Sequence, residues 1–285
     1  MITGKTKITG IIGNPIEHSM SPPMHNNAYK QLNLDYKYVP FLVKKENLKY
    51  VIQSSKTLNI KGLNVTIPYK TDIIPYLDEI DPLAEKINAV NTLEFNGNKV
   101  KGYNTDATGA LKSLKDYTSI TNKNILILGS GGASKAIAYQ LAEEKPEQLI
   151  IANRTENNAQ KIIKNIKENT SVPIHYQTIK TAENTLENQD IIINTTPIGM
   201  YPNQYTKPVI NTKNILSNHT VMDIVYNPIK TRLLKEAEKK GAIIIPGTNM
   251  LINQGLESFK IFTKKTTSYE SFEKPLLKIL EKENI

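Results

Sequence analysis

The sequence predicts an α/β chain of two domains, the second built on a doubly wound parallel sheet. Three observations carry this. The chain has 285 residues, and domains commonly run about 100–200 residues, so two are expected. From KNILILG onward, short apolar runs alternate with helical periods, the pattern of a parallel sheet covered on both faces. The first of those runs ends in a glycine turn that opens a helix.

The elements follow in order. ITGIIG is a short strand, and SPPMHNNAYKQLN a helix whose prolines fall near its first turn, where a missing N–H is tolerated. DYKYVPFLV has strand character, LKYVIQSSKTLN is helical by period, and IKGLNVTIPY is a strand ended by Pro68. LAEKINAVNTLEFNGNKVKGYNTD predicts a short helix and a hairpin turning at Asn96–Gly97. Residues 107–117 are an amphipathic helix. Strands follow at NILILG, EQLIIANRT, PIHYQTI, QDIIINTTP, HTVMDIVY and AIIIPG, with helices at GGASKAIAYQLAEEK, NNAQKIIKNIKEN and TRLLKEAEKKG between them. The tail, NMLINQGLESFKIF and SFEKPLLKILEKE, is helical, and no internal repeat or low-complexity linker interrupts the chain.

Composition excludes several classes. At 39% apolar and 22% charged residues, this is ordinary globular material. No apolar run approaches the roughly 18 residues of a membrane span. The start does not read as a signal peptide, so a cytoplasmic location is expected. With no cysteine there is neither a disulfide framework nor a thiolate site. His18, His25, His175 and His219 include no pair at ligand spacing on one helix face, so no metal is expected. The net charge of +9 is spread over lysines along most of the chain. That reads as a solvated surface biased toward anionic small ligands rather than a nucleic-acid face.

The sharpest local signal is Gly129-Ser130-Gly131-Gly132-Ala133-Ser134, between a strand and a helix. Gly129 permits a tight turn, and Gly131 lets backbone approach a pyrophosphate seated on the helix N-terminus. Ser134 stands where a third glycine is usual, a variant of the dinucleotide fingerprint. The next strand ends in Asn153-Arg154-Thr155, without the acid that would hold a ribose 2′-hydroxyl. Arg154 can form charge-assisted hydrogen bonds to a 2′-phosphate, so NADP(H) is expected over NAD.

Four polar clusters occupy the first segment: His18-Ser19-Met20-Ser21-Pro22, Asn64-Val65-Thr66-Ile67-Pro68-Tyr69-Lys70, Ala89-Val90-Asn91-Thr92-Leu93 and Asn104-Thr105-Asp106. Hydroxyls, amides and one lysine suit an anionic polyol, whose hydroxyls each need a donor and an acceptor. Each cluster also has a structural reading. Ser19 or Ser21 can cap the following helix, Asn64 and Asn91 can stabilise turns, Asp106 can cap residues 107–117, and Lys70 can be a surface lysine.

Together with GSGGAS, NRT, INTTPIGM, MDIVYNP and MLINQG, the elements GNPIEHSMSP, NVTIPYK, AVNTL and NTD run in order from residue 13 to 255. This series resembles the shikimate dehydrogenase family. The resemblance implies reversible NADPH-dependent reduction of 3-dehydroshikimate to shikimate, in aromatic amino acid and chorismate biosynthesis. A quinate or broad quinate/shikimate dehydrogenase is the alternative, a non-catalytic NADP-binding protein the more distant one, and a monomer or homodimer is expected. It implies a substrate domain at 1–106, completed by C-terminal helices 248–285, and a Rossmann-like NADP domain at 107–247. Ser19 and Ser21 would bind the substrate carboxylate, and Lys70 and Asp106 would form the catalytic pair. Asn64, Thr66, Asn91, Tyr226 and Gln254 would contact substrate. Gly129, Ser130, Gly131, Gly132, Ala133, Asn153, Arg154 and Thr155 would hold NADP, with Ile224 and Gly247 lining the nicotinamide pocket. The sequence departs twice from the family pattern. Glu156-Asn157-Asn158 supplies no second basic residue after NRT, and Asn249 replaces a glycine of the usual GLGM.

Overall fold

The computed structural model describes residues 2–283. By internal packing these divide into two compact units, one running to Thr105 and resuming at Gln254–Glu283, the other Asp106–Asn253. The divisions fall within two helices, α4 (Thr105–Lys115) and α9 (Gly247–Thr263).

In the first unit, α1 (Ser21–Gln31), α2 (Leu48–Thr57) and α3 (Pro82–Ile87) accompany strands β1 (Lys7–Gly13), β2 (Tyr36–Leu42), β3 (Gly62–Val65), β4 (Glu79–Ile80), β5 (Thr92–Asn96) and β6 (Lys99–Tyr103). The sheet order is β2-β1-β3-β5-β6-β4. β1 lies parallel to β2 and β3, and β5 runs antiparallel to β3 and β6. Gly97 turns the β5–β6 hairpin with φ +58°, a left-handed conformation that glycine adopts without cost. The Thr66 N–H makes the last ladder bond, to the Ile12 carbonyl of β1, and β3 stops at Val65, before Pro68, where the chain turns through Tyr69 N–H to Thr66 O. Ile12, Leu63, Val65, Ile73, Val90, Leu93 and Val100 fill one core. Burying each such side chain contributes about 1.5–3 kcal/mol. The last helix, α10 (Glu270–Glu283), packs on α1.

The second unit holds β7 (Asn124–Leu128), α5 (Gly132–Glu143), β8 (Gln148–Ala152), α6 (Glu156–Asn169), β9 (Ile174–Gln177), α7 (Ile179–Asn184), β10 (Ile191–Asn194), β11 (Thr220–Asp223), α8 (Arg232–Glu238) and β12 (Ile243–Ile245). All neighbours are parallel, in the order β12-β11-β10-β7-β8-β9. Read from β9, this is the doubly wound order 3-2-1-4-5-6, with its switch point between β7 and β10. β7, β8 and β10 are buried on both faces, which explains their unbroken runs of Ile and Leu. α6 buries Ala159, Ile162, Ile163 and Ile166, the i, i+3, i+4, i+7 stripe of a helix lying on a sheet.

Some boundaries differ from expectation. The helix expected at 107–117 begins at Thr105, so Asp106 lies in its first turn rather than at its cap. β11 ends at Asp223, leaving Tyr226 beyond the strand. α9 begins at Gly247. Among the described residues no helix is long and apolar enough to cross a membrane.

Candidate active site

The strand directions of the first sheet gather its polar clusters. β1, β3 and β6 end at the edge where antiparallel β5 begins. Ser19 and Ser21 follow β1, Thr66 and Lys70 follow β3, Asn91 precedes β5, and Asn104 to Asp106 follow β6. Loops at the carboxyl ends of strands are where α/β sheets place ligands. Neither serine caps α1. Its N-cap is Met20, without a side-chain bond, and the Ser19 hydroxyl accepts from the Ser21 N–H at 3.3 Å.

Behind that edge lies a buried hydroxyl–amide network. The Asn64 amide nitrogen donates toward Thr92 Oγ1 (2.9 Å), Ser258 Oγ (2.9 Å) and the Asn91 carbonyl (3.2 Å). Its two hydrogens are thus shared among three acceptors. Asn91 Oδ1 accepts from the Thr105 N–H at 2.7 Å and from the Thr92 hydroxyl at 3.1 Å, while Asn91 Nδ2 donates to Thr105 Oγ1 at 3.0 Å. These asparagines therefore bind strands and helix starts together rather than closing turns of their own. Ser258 Oγ also donates to the Gln254 carbonyl at 3.0 Å, which ties the buried Gln254 backbone to the same cluster.

The network also fixes the backbone at the two ionisable candidates. The Val90 N–H donates to the Lys70 carbonyl at 2.7 Å, and Asn91 holds Thr105, the residue before Asp106. One dipeptide, Val90–Asn91, thus bridges the backbone of Lys70 to the start of α4. Both Lys70 and Asp106 are half-buried. Thr92, Thr105 and Ser258 were not foreseen as part of the site. The first two lie inside quoted motifs, but Ser258 sits in a helix 194 residues from Asn64, with no local signal.

In the second unit, Asn194 ends parallel strand β10, and Gly129, Asn153, Ile224 and Gly247 follow the carboxyl ends of other parallel strands. Gly129 has φ +104°, and a Cβ there would meet Thr195 Oγ1 at 2.7 Å, so the turn admits only glycine. Gly131 and Gly132 instead face open space, with no heavy atom of the described residues within 4 Å of an added Cβ. Gly131 is the N-cap of α5 and no side chain caps the helix start. Free N–H groups beside an open approach fit a dinucleotide pyrophosphate. Ser134, standing in the third-glycine position, donates to the Gly129 carbonyl at 2.8 Å and so closes the turn itself. Asn153 donates to Ser130 Oγ at 2.7 Å and to the Thr155 carbonyl at 2.9 Å, joining the glycine loop to the loop after β8. Arg154 is exposed there, beside Thr155, the N-cap of α6. A guanidinium next to a helix N-terminus fits a phosphate better than a neutral ribose hydroxyl.

Gly247 explains its own identity. An added Cβ would lie 2.4 Å from the Ile224 carbonyl oxygen and 2.5 Å from that of Val225. Ile224, half-buried, and Gly247 are thereby brought together. Asp223, which sequence reasoning passed over, anchors this corner. Its wholly buried carboxylate accepts from Asn194 Nδ2 (2.9 Å), the Val225 N–H (3.1 Å) and the Thr231 hydroxyl (2.7 Å). Burial pushes it up to about 6, against the pull of those three hydrogen bonds. The carboxylate thus fastens the β10 and β11 loops and the N-cap of α8 to one point. Asn249, the second departure, donates to the Tyr117 hydroxyl at 3.3 Å, and Asn253 one turn later donates to Ser113 Oγ at 2.9 Å. An asparagine at 249 therefore adds a polar contact between α9 and the turn that follows α4.

Known proteins resemble this chain in sequence and fold. Residues 11–93 match the shikimate dehydrogenase substrate binding domain, and residues 110–224 the shikimate / quinate 5-dehydrogenase family. A shikimate dehydrogenase (NADP(+)) of Methanosphaera stadtmanae is 64% identical over 282 residues, covering 99% of this chain and 100% of its own. Among solved structures, a shikimate dehydrogenase in complex with NADP+ is 44% identical, with a TM-score of 0.94 and 98% of each chain covered. The shikimate 5-dehydrogenase of Listeria monocytogenes, in complex with shikimate and NAD, is 35% identical, with a TM-score of 0.91 over 96% of this chain and 98% of that one. With a glycine turn at the switch point of one sheet and a polar edge on the other, and with full-length relatives at this identity, the chain belongs to the shikimate dehydrogenase family.

Proposed function

We propose that this protein is an NADP-dependent shikimate dehydrogenase that reduces 3-dehydroshikimate to shikimate, reversibly, with Lys70 and Asp106 as its catalytic pair. The observation that carries the reading is the bridge through Val90–Asn91, which ties the Lys70 backbone to the start of the helix bearing Asp106. Residues 1–106 with 248–285 bind the substrate, and residues 107–247 bind the cofactor. NADPH, when bound, supplies the hydride that reduces the ring ketone.

The residues of this chain do the rest. As the ketone oxygen gains negative charge, the Lys70 ammonium stabilises it and donates the proton that completes the alcohol. The Asp106 carboxylate orients that ammonium. Ser19 and Ser21 hydroxyls donate to the substrate carboxylate. Thr66, Asn64, Asn91, Tyr226 and Gln254 supply the paired donors and acceptors that ring hydroxyls need. Gly131, Gly132 and the start of α5 receive the pyrophosphate, while Asn153, Arg154 and Thr155 face the 2′-phosphate, with Arg154 the cation. Ile224 and Gly247 shape the nicotinamide pocket.

Initial rates followed by NADPH absorbance test this directly. Shikimate with NADP is expected to give the highest kcat/KM, above quinate with NADP and above shikimate with NAD. No turnover of shikimate with NADP overturns the proposal.

A further inference from the structure

We infer that Tyr38 is a positioning residue for substrate binding, acting through the amide of Asn64. This rests on the reading of Asn64 as a substrate contact. The Tyr38 hydroxyl donates to Asn64 Oδ1 at 2.7 Å. The Tyr38 hydroxyl can donate or accept, whereas the Asn91 carbonyl on the other side of the amide can only accept, so the amide is set with Oδ1 toward Tyr38. With Oδ1 turned to Tyr38, Nδ2 faces Thr92, Ser258 and the Asn91 carbonyl. A flipped amide would set Oδ1 against the Asn91 carbonyl, acceptor against acceptor. The Asn91 carbonyl thus sets which way the amide faces, and Tyr38 holds its Oδ1 end in place.

Tyr38 is itself held on three sides. Asn26 of α1 pairs with its main chain, accepting from its N–H at 3.0 Å and donating to its carbonyl at 2.9 Å. Its ring stacks on His25, with centroids 4.3 Å apart and planes at 13°. His25 in turn meets the edge of Phe272 from α10 at 4.9 Å. Burial holds the His25 imidazole down to about 3, so that ring stays neutral. Burial also pushes the Tyr38 phenol well above the usual tyrosine range, so it remains a donor at any working pH. The consecutive residues His25 and Asn26, which follow the Ser19–Ser21 segment, thus serve to hold Tyr38.

A double-mutant cycle tests the inference. Tyr38→Phe keeps the ring and its stack on His25 and removes only the hydroxyl. The expected result is a rise of about tenfold in KM for shikimate, equivalent to about 1.4 kcal/mol. NADP affinity by fluorescence titration should stay within about twofold, and kcat should fall less than KM rises, the signature of lost ground-state binding. Asn64→Ala should also raise KM for shikimate. In that background, adding Tyr38→Phe should change KM by less than it does alone, because the part of its effect that passes through the Asn64 amide is already lost. Additive effects in the double variant, or an unchanged KM in Tyr38→Phe with Asn64→Ala impaired, overturn the role of Tyr38. An unchanged KM in Asn64→Ala removes the underlying reading of Asn64, and the inference with it.

Discussion

Replacing Asp223 by Asn should stabilise this protein, and only above mildly acidic pH. The carboxylate is wholly buried, and burial lifts its pKa from 3.8 to about 6. At 1.36 kcal/mol per pH unit, that gap corresponds to about 3 kcal/mol. An acid whose pKa is raised by folding holds its proton more tightly in the native state than in the unfolded chain. Native stability therefore falls as pH climbs from about 4 to about 6, and the full penalty is present at pH 8. Asparagine resembles the protonated acid: Oδ1 still accepts from Asn194 and Val225, and the Thr231 hydroxyl can turn to accept from Nδ2. The variant should exceed the parent by about 3 kcal/mol at pH 8, with the difference vanishing near pH 4. In urea, with an m-value of about 3 kcal/mol/M, the midpoint at pH 8 should rise by about 1 M. A midpoint at pH 8 equal to or below the parent's, or a difference independent of pH, would refute the reasoning.

Two more substitutions probe the cofactor side. Arg154→Ala should weaken NADP binding about tenfold to a hundredfold, the scale of charged hydrogen bonds, and leave NAD binding unchanged in fluorescence titrations; equal losses for both would assign Arg154 no part in choosing the phosphate. Gly247→Ala drives a methyl group into the Ile224 and Val225 carbonyls, backbone that cannot swing aside as a side chain would. It should cost about 1–3 kcal/mol in urea denaturation and reduce NADP affinity, and an unaltered variant would contradict the close approach.

Much of the second unit was legible because its signals are local. Strands buried on both faces read as short apolar runs, and α6 carries its stripe in one fourteen-residue helix. Gly129, Gly131 and Arg154 declare themselves through turn chemistry and charge at strand ends. The elements that escaped are short: β4 has 2 residues and α7 has 6, too few to establish a period. The Asp106 boundary slipped because the helix starts at Thr105, whose N–H is capped by Asn91 from the loop before β5, a tertiary bond that no local rule anticipates. Asp223 looked like one acid in an apolar strand, and its three donors come from Asn194, Val225 and Thr231, up to 29 residues away. Ser258 and Tyr38 were invisible for the same reason: each acts on Asn64 through a bond between distant segments.

The role proposed for Lys70 is to supply the proton and the positive charge. The most direct measurement is kcat for Lys70→Ala with saturating shikimate and NADP, with NADP affinity measured separately by fluorescence titration. A fall in kcat of about a hundredfold or more is expected, with NADP binding essentially unchanged. Full kcat in that variant would contradict it.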